Sequence, residues 1–408
     1  MNRQYRVAGL IEMVLLVSTL CEPVLADAMP IGEAIGTVAN RLDTAQIKSG
    51  VNAGIWPKEA SFTGSIAAGM VSAFRASCEP AYRNSAELAG EYILWSAQGN
   101  FYGDEAFALT LLSEISDDPN NNIWRSAVSN FYADVRDIAG TAEYMTQFEG
   151  VEPSTAVFYL AHHVVAAYYV DATDKQIWRD NLLSLLSQVN DISSNFPVMS
   201  LGVATWALAG TGPLDQTLVN CCNPAEDGYW NDVKLADLPS LLAGHQVADG
   251  EPYAGSFYWR FDHTSGGSPS AASGHTEDAV FATLGLLAAK KSDPQLDLDK
   301  AIISAGKALL DSVSQDGRVW EHMSQTDMLL YAYAGEMLEV LDGLIIEGDL
   351  NLDGSVDFVD FAIIAGDWGA TVDGGEICRN NPDIDRSGIV DFADLKVMSD
   401  NWLWNLGD

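Results

Sequence analysis

The chain has 408 residues, a formal net charge of −36 at pH 7 and five cysteines. This length is typical of two or three domains. A surface this acidic repels nucleic acid and anionic membranes, so neither is expected as a partner.

The first element along the chain is an export signal. Arg3 and Arg6 precede an apolar run, and small residues follow at Ala26 and Ala28. The run is shorter than the ~20 apolar residues that a membrane span needs. The pattern therefore predicts a signal peptide over residues 1–28, cleaved after Ala26 or Ala28. The mature protein is expected to be secreted or held at the cell surface, with no membrane span.

Four cysteines remain after this cleavage, namely Cys78, Cys221, Cys222 and Cys378. Export permits disulfides. Four cysteines allow three pairings, and their spacing selects none of them. Since no C-x-x-C motif or Cys/His cluster is present, a zinc site is not expected.

Residues 29–345 are predicted to form helices of two alternating kinds. Helices that are apolar or small-residue-rich on all sides are typical of a buried position, and amphipathic helices are typical of an outer layer. The first kind covers approximately residues 62–74, 104–112, 154–169, 197–208, 275–289 and 325–341. The second kind covers approximately residues 31–48, 81–98, 123–139, 175–189, 233–245 and 298–314.

This alternation predicts an all-α domain of about twelve helices, arranged as an inner and an outer ring in an α/α toroid. No run of apolar residues alternates at period two, so no sheet is expected. A solenoid of helix pairs is the alternative architecture, but no fixed repeat period recurs along these residues.

The chain changes character over residues 346–408, which carry 14 acidic and 3 basic side chains. Two similar segments occur there, at residues 349–360 and 383–394, and a tryptophan follows each at the same offset. A twelve-residue calcium loop supplies oxygen ligands from positions 1, 3, 5, 7, 9 and 12 and needs glycine at position 6 for its sharp turn. Both segments match this pattern.

The predicted ligands are oxygen atoms throughout. In the first loop they come from Asp349, Asn351, Asp353, Ser355, Asp357 and Asp360, and in the second from Asp383, Asp385, Ser387, Ile389, Asp391 and Asp394. Ser355 and Ile389 would contribute backbone carbonyls. The two loops predict two bound Ca²⁺ ions, and clustered carboxylates imply a module that folds or tightens with the metal.

These repeats resemble the type I dockerin repeat, in which a calcium loop and one following helix occur twice. Aspartate at position 12 fits a dockerin better than an EF-hand. The resemblance covers residues 346–408 and implies docking onto a cohesin-like or cell-surface protein. Family dockerins bind cohesin through positions 10 and 11, often Ser/Thr pairs, where this chain has Phe358-Val359 and Phe392-Ala393. A purely structural calcium tail is the alternative.

Dockerin modules mostly accompany secreted carbohydrate-active enzymes. The predicted toroid is similar to the six-hairpin glycosidase and terpenoid-cyclase-like fold, which also includes polysaccharide lyases. Gly274-His-Thr-Glu-Asp-Ala-Val-Phe resembles an inner-helix start in such barrels, and Gln315-Asp-Gly-Arg-Val-Trp320 resembles a Q-x-D-G-x-W turn. A fold hosts many functions, so the activity has to be inferred from the site.

Glycoside hydrolysis needs two carboxylates, one as acid and one as base or nucleophile. In this architecture the cleft is expected where the inner helices begin. The catalytic candidates there are Glu277, Asp278, Asp104, Glu105 and His275. Each acid could instead cap a helix.

Candidate substrate-binding residues surround these acids. Trp259, Arg260 and His263 lie in a long Gly/Ser-rich stretch, which is typical of a functional loop. Tyr102 and Trp320 are the other two candidates. Aromatic rings can stack on sugars, and arginine can bind a carboxylate. An Arg/His/Tyr set would suit a polysaccharide lyase, paired acids would suit a hydrolase, and a non-catalytic glycan-binding or scaffold protein remains the third reading.

Overall fold

The computed structural model describes residues 29–116, 122–134, 143–190, 194–220, 229–262, 273–325, 328–372 and 378–402. The signal peptide predicted over residues 1–28 and the candidate His263 lie outside these ranges. Within them the regular structure is helical, and β pairing is limited to isolated bridges. The all-α prediction is confirmed. None of the described helices is long and apolar enough to cross a bilayer.

The helices alternate along the chain as the sequence predicts. Those before residue 345 are α1 Ile31–Ala45, α2 Thr63–Ser77, α3 Pro80–Ala97, α4 Gly103–Glu114, α5 Ile123–Asp134, α6 Pro153–Tyr169, α7 Lys175–Leu186, α8 Pro197–Thr211, α9 Leu238–Gly244, α10 Thr276–Ser292, α11 Asp299–Asp311 and α12 Tyr331–Leu344. Two more follow, α13 Phe358–Gly366 and α14 Phe392–Asp400.

The even-numbered helices up to α12 are buried on nearly all sides, and the odd-numbered ones bury one stripe. In α8 every residue from Pro197 to Thr205 is buried. In α1 the buried residues include Ile31, Ile35 and Leu42, while the opposite side faces solvent. This difference follows from the two apolar patterns, since an all-round apolar helix needs neighbours on every side.

The six buried helices contact one another in chain order, and the last returns to the first. Helix α2 contacts α4, the contacts continue through α6, α8 and α10 to α12, and α12 contacts α2. Each odd-numbered helix contacts the even-numbered helices on either side of it. The α2–α12 contact is close because it is made by glycines: a Cβ at Gly69 would lie 2.2 Å from the Gly335 carbonyl oxygen.

All six buried helices begin at the same end of this assembly. The Asp104 carboxylate at the start of α4 reaches the Ser65 amide of α2, and the Ser200 hydroxyl of α8 reaches the Ser154 carbonyl of α6. Residue Glu59, just before α2, reaches the start of α12. We call this end the N-terminal face and the opposite end, where α2, α4 and α12 finish, the C-terminal face.

The last part of the chain has a small hydrophobic core of its own. Leu350, Val356, Ile364, Val390 and Met398 are buried there between α13, α14 and the segments that precede them. A disulfide between Cys78 and Cys378 joins this part to the end of α2, with the two Cα atoms 5.5 Å apart. The sequence could not select this pairing because 300 residues separate the two cysteines.

Candidate functional site

Carboxylates line the N-terminal face, and one group of them caps helices. The Glu59 carboxylate accepts hydrogen bonds from the Tyr331 and Ala332 amides of α12, both at 2.9 Å. The Asp104 carboxylate accepts from the Ser65 amide at 3.3 Å. Such bonds satisfy N–H groups that a helix start otherwise leaves without a partner.

Two further acids cap their own helices. Glu105 accepts a hydrogen bond from the Tyr102 amide at 2.9 Å, and Glu152 accepts one from the Thr155 amide at 3.2 Å. Burial raises the pKa of Asp104 to about 6 and that of Glu105 to about 7. The candidates Asp104 and Glu105 therefore have a structural task that accounts for their position.

A second group of acids caps nothing. These acids are Glu277 and Asp278 on α10, Glu321 just after Trp320, and Glu336 on α12. Both carboxylate oxygens of Asp278 and one of Glu336 are buried without a hydrogen-bond partner in the described part of the chain. No hydrogen bond between described residues reaches the carboxylates of Glu277 or Glu321. No salt bridge among the described residues involves them. Helix capping and ion pairing therefore do not explain why these four carboxylates are present.

Glu277 and Glu321 form the accessible pair of this second group, and both are partly exposed. Backbone pairing holds them together, because the Thr276 amide donates to the Glu321 carbonyl at 2.8 Å and the Thr276 hydroxyl donates to the Trp320 carbonyl. Burial, together with the nearby negative charge of Glu321, raises the pKa of Glu277 to about 7. Glu277 can therefore exchange a proton near neutral pH.

Asp278 and Glu336 are the buried members of the group, with 1% and 4% of their surfaces exposed. Both carboxylate oxygens of Asp278 lack a well-placed partner, although the Met199 amide lies close enough to favour the charged form. Burial outweighs that effect and raises the pKa of Asp278 well above its usual value. Burial, with the negative charge of Glu277, does the same for the pKa of Glu336.

His275 and Trp320 flank the Glu277–Glu321 pair. The His275 ring lies 5.0 Å from that of His322 and 6.3 Å from that of Phe196, measured between centroids. The His322 ring is fixed in turn by the Ser273 carbonyl and the Ser324 hydroxyl, both at 2.8 Å. The structure thus brings His275, Glu277 and Trp320 together.

Aromatic side chains occupy the N-cap positions of several buried helices. These positions are Phe62 for α2, Tyr102 for α4, Phe196 for α8 and His275 for α10. Phe62, Tyr102 and Phe196 expose 41%, 62% and 40% of their surfaces. Ser, Thr, Asp and Asn are the usual residues at an N-cap, so aromatic residues at these positions are unfavourable for helix initiation and invite a functional reason.

Trp259 and Arg260 adjoin this set of aromatic rings. The Trp259 ring lies 6.0 Å from that of Phe196, and the Arg260 guanidinium lies 5.1 Å from the Trp259 ring centroid. The Trp259 carbonyl also accepts a hydrogen bond from the Val198 amide at the start of α8. Both residues therefore belong to the N-terminal face, next to the start of α10.

Three acids of this face escaped the sequence analysis. Glu321 lies outside any helix, Glu336 lies in the middle of a buried helix, and Glu59 precedes α2 by several residues. A charged residue inside a predicted buried helix is a usable signal, because such a charge is costly to bury without a partner. Glu336 could have been found in that way, whereas Glu321 depends on a pairing between distant segments.

The two predicted calcium loops have the same backbone course. Position 4 is left-handed in both, with φ of 57° at Leu352 and 58° at Arg386, and the glycines at position 6 have φ of 92° and 89°. Each first aspartate accepts from two loop amides: Asp349 from those of Asp353 and Gly354, and Asp383 from those of Ser387 and Gly388. The bent loop is therefore built as its spacing requires.

Carboxylate oxygens converge in the second loop. Carboxylate oxygens of Asp383, Asp385 and Asp394 lie within 4.8 Å of one another, a group that could hold a metal ion. In the first loop, burial raises the pKa of Asp349 to about 7, and the charges of Asp353 and Asp360 add to the rise. Hard oxygen donors in a flexible loop suit Ca²⁺, so the residues present fit that ion.

The remaining ligand positions have consistent roles. The carboxylates of Asp357 and Asp391, at position 9, cap α13 and α14 by accepting from the Val359 and Ala393 amides. The Asp360 carboxylate accepts hydrogen bonds from the Leu350 and Asn351 amides, and the Asn351 side chain donates to Asp353. Ser355 and Ile389 are the predicted carbonyl ligands at position 7.

Residues at loop positions 10 and 11 are exposed and apolar. Phe358, Val359 and Phe392 expose 50%, 51% and 75% of their surfaces. The Phe358 ring contacts Trp402 and the Phe392 ring contacts Trp368, with centroids 5.0 and 4.9 Å apart and the rings near perpendicular in both cases. The duplication therefore extends from the loops to a pair of matching aromatic contacts on the surface.

No protein family model matches this chain, and neither a curated protein nor a solved structure matches it. The functional proposal therefore depends on the chemistry of the two sites.

Proposed function

We propose that this is an exported carbohydrate-active protein that hydrolyses a polysaccharide and is tethered by a calcium-binding, dockerin-like module. The observation that carries the proposal is the Glu277–Glu321 pair, which neither caps a helix nor pairs with a cation in the described structure and lies beside exposed aromatic rings. Paired carboxylates next to stacking platforms are what hydrolysis of a glycosidic bond requires.

The large domain is proposed to be an α/α toroid, and the predicted boundaries of residues 29–345 are retained. The cyclic contact order of the six buried helices supports this architecture, as does the placement of the odd-numbered helices against them. With all six buried helices starting at one end, their partial positive charges point to the same face. Carboxylates at that face, on which the proposed chemistry depends, would be favoured by this positive charge.

In the proposed mechanism Glu277 is the general acid. Its pKa of about 7 lets it keep a proton at neutral pH and deliver that proton to the glycosidic oxygen. Glu321 would act on the opposite side of the sugar, either by activating water or by attacking the anomeric carbon. The separation of the two carboxylates with substrate bound decides between inversion and retention.

The aromatic residues would hold the sugar chain across the acids. Phe62, Tyr102, Phe196 and Trp259 present ring faces on the N-terminal face. A cavity of about 500 Å³ opens beside the start of α12, lined in part by Arg41, Glu59 and Tyr331, and neither Glu277 nor Glu321 lines it. Its size lies within the range of small-molecule and sugar-binding pockets.

The C-terminal module is proposed to bind two Ca²⁺ ions and to dock onto a cohesin-like or cell-surface protein. When bound, each ion would supply positive charge that holds the loop carboxylates together. Since positions 10 and 11 are apolar, the matching partner surface would be apolar rather than hydroxyl-binding. A calcium tail without a docking partner is the alternative.

A panel of polysaccharides incubated with the full chain tests the enzymatic part. We expect new reducing ends from at least one polymer, without the ultraviolet absorbance that the double bond of a lyase product gives. Glu277→Gln should abolish product while glycan binding persists. Glu91→Gln, the same change on the outer helix α3, is the matched control and should be fully active. Unsaturated products would favour the lyase, and binding without any product would favour a glycan-binding protein.

Terbium luminescence and calorimetric titration of the metal-stripped full chain test the module. Two sites are expected, with Asp349→Asn removing one and Asp383→Asn the other. Absence of any binding in the wild-type chain would overturn the calcium assignment.

A further inference from the structure

Helix α1 takes one of its caps from the first calcium loop. The N-cap residue of α1 is Pro30, whose side chain offers no hydrogen-bond acceptor. The first N–H groups of a helix have no partner inside it. Here the Gly32 amide donates to the Leu352 carbonyl at 2.8 Å, so a residue at loop position 4 completes the start of α1.

The contact is also tightly packed. The Leu352 side chain is buried in the main hydrophobic core, together with Ile31 and Ile35 of α1. A Cβ placed on Gly32 would lie 2.8 Å from the Leu352 Cβ, closer than two carbon atoms can pack. The absence of a side chain at position 32 therefore lets the loop approach the helix. By contrast, a Cβ on Gly36, one turn later in the same helix, would meet nothing within 4 Å.

The position of Leu352 is tied to the metal ligands. It stands between Asn351 and Asp353, which are ligand positions 3 and 5, and its φ of 57° is unusual for leucine. That left-handed turn lets the side chains on either side face the loop interior while Leu352 faces outward. Without an ion, the carboxylates of Asp349, Asp353 and Asp357 repel one another, and the turn depends on hydrogen bonds from loop amides to Asp349 and Asp360.

A second set of contacts holds the module to the C-terminal face without using the calcium loops. The Cys78–Cys378 disulfide is covalent, and the neighbouring Arg379 amide donates to the Arg75 carbonyl at 2.8 Å. The Arg379 guanidinium also pairs with Asp342 at the end of α12, at 3.1 Å. The module is thus anchored by one edge, and loop 1 reaches α1 from there.

We propose that Ca²⁺ in loop 1 works as an intramolecular clasp that fastens α1 to the large domain. The proposal rests on the calcium binding proposed above and assigns the ion a task besides tethering. With the ion bound, Leu352 caps and covers the start of α1, and α1 in turn packs on α2 and α12. Since α12 carries Glu336, the ion supports a helix that belongs to the proposed catalytic site.

Hydrogen exchange and thermal unfolding of the oxidised full chain test the clasp. With Ca²⁺ added after metal removal, the Gly32 amide should exchange at least about tenfold more slowly, because its partner becomes fixed. The unfolding midpoint of the large domain should rise by roughly 3–8 °C, as expected when a ligand binds the folded state at about 100 times its dissociation constant.

Two matched pairs of variants isolate the clasp. Gly32→Ala should abolish the calcium effect on the unfolding midpoint while leaving two calcium sites, whereas Gly36→Ala should preserve the effect. Asp349→Asn in loop 1 should remove most of the stabilisation, whereas Asp383→Asn in loop 2 should remove little of it. Loop 2 is the internal control because its position 4, Arg386, adds no apolar side chain to the main core and reaches the large domain through its charge near Glu114 of α4.

The outcomes separate the clasp from the calcium assignment. If the wild-type chain binds no Ca²⁺, the calcium proposal itself fails. If it binds two ions but Gly32 exchange and the large-domain midpoint stay unchanged, calcium binding stands and the clasp is wrong. Equal losses from the two loop variants, or an intact calcium effect in Gly32→Ala, would also overturn the clasp.

Discussion

The distribution of charged side chains differs between the two ends of the buried helices. At the C-terminal face two arginines pair with acids: Arg75 lies 3.5 Å from Glu114 and 3.8 Å from Asp342, and Arg379 lies 3.1 Å from Asp342. Glu339 at this end has no salt bridge among the described residues, and burial raises its pKa to about 8. At the N-terminal face acids dominate. Helix dipoles favour bases at C-terminal ends and acids at N-terminal ends, which explains the general distribution of charge.

The helix dipole explains only some of the acidic side chains at the N-terminal face. Glu59 and Asp104 accept backbone hydrogen bonds there, as caps do. Glu277, Glu321 and Asp278 do not, and no cation of the described residues offsets them as Arg75 and Arg379 offset Asp342. Charges that stabilise neither a helix nor an ion pair are a cost to the fold, so they mark the region where function is expected.

The pH dependence of folding gives the largest expected effect. Burial raises the pKa of Asp104 to about 6 and that of Glu277 to about 7. In the unfolded state the pKa values of both carboxyl groups are about 4. Between about pH 4 and the raised pKa values, the folded state therefore binds more protons than the unfolded state. The free energy of unfolding is then highest in acid and falls as the pH rises. The free energy of unfolding should drop by about 3 kcal/mol from about pH 4.5 to about pH 8, after discounting the exposed fraction of Glu277.

Chemical denaturation across this pH range measures the slope, with saturating Ca²⁺ present because the loop carboxylates are proposed metal ligands. The slope should be smaller in Asp104→Asn, which separates this site from general repulsion between surface acids. A stability that stays flat or rises toward pH 8 would contradict the raised pKa values.

Removing a helix-capping carboxylate gives the next largest change in the free energy of unfolding. Glu59→Gln leaves one oxygen to serve two α12 amides, so it should destabilise the protein by about 1–2 kcal/mol. Glu91→Gln on the exposed side of α3 should change stability by less than about 0.5 kcal/mol. Similar changes in the free energy of unfolding for the two variants would show that Glu59 is not a structural acid. The division between capping and non-capping acids would then be wrong.

Removing a buried acid that has no partner should raise the free energy of unfolding. Asp278→Asn replaces a carboxyl group that is costly to ionise by a neutral amide, so it should stabilise the protein by about 1 kcal/mol at pH 7. The gain should disappear near pH 4, where the aspartate is already protonated. Destabilisation at both pH values would show that Asp278 has a structural partner.

The smallest effect concerns an aromatic N-cap. Phe196 has a left-handed backbone, with φ of 51°, which asparagine tolerates better. Phe196→Asn should therefore stabilise the protein by about 0.5 kcal/mol and also weaken glycan affinity by about fivefold, because a stacking ring is lost. Unchanged affinity would remove Phe196 from the proposed binding surface.

Sequence reasoning predicted the features that depend on local pattern. The two helix kinds follow from apolar periodicity, and the bent course of residues 349–360 and 383–394 follows from their spacing, with Gly354 and Gly388 at the required turns. Contacts between segments that are distant in sequence could not be predicted. The Thr276–Trp320 hydrogen bond spans 44 residues and places Glu321 beside Glu277, and the Cys78–Cys378 bridge spans 300. Such pairings are set by tertiary packing rather than by local sequence.

The same distinction explains the candidate acids. Asp104 and Glu277 look alike in sequence because each stands in the first turn of a buried helix. Only the positions of neighbouring amides separate the acid that caps α2 from the acid that caps nothing. Glu336 lies in an apolar stretch that reads as core, and its closeness to Glu277 follows from the way α12 packs beside α10.

Turnover and stability measured together on Glu277→Gln and Glu59→Gln test the division between functional and structural acids most directly. We expect Glu277→Gln to lower kcat by about 10²–10⁴ at unchanged or higher stability. We expect Glu59→Gln to lower the stability but to keep its turnover per folded molecule. The reverse pattern, with an active Glu277→Gln that unfolds more easily, would contradict it.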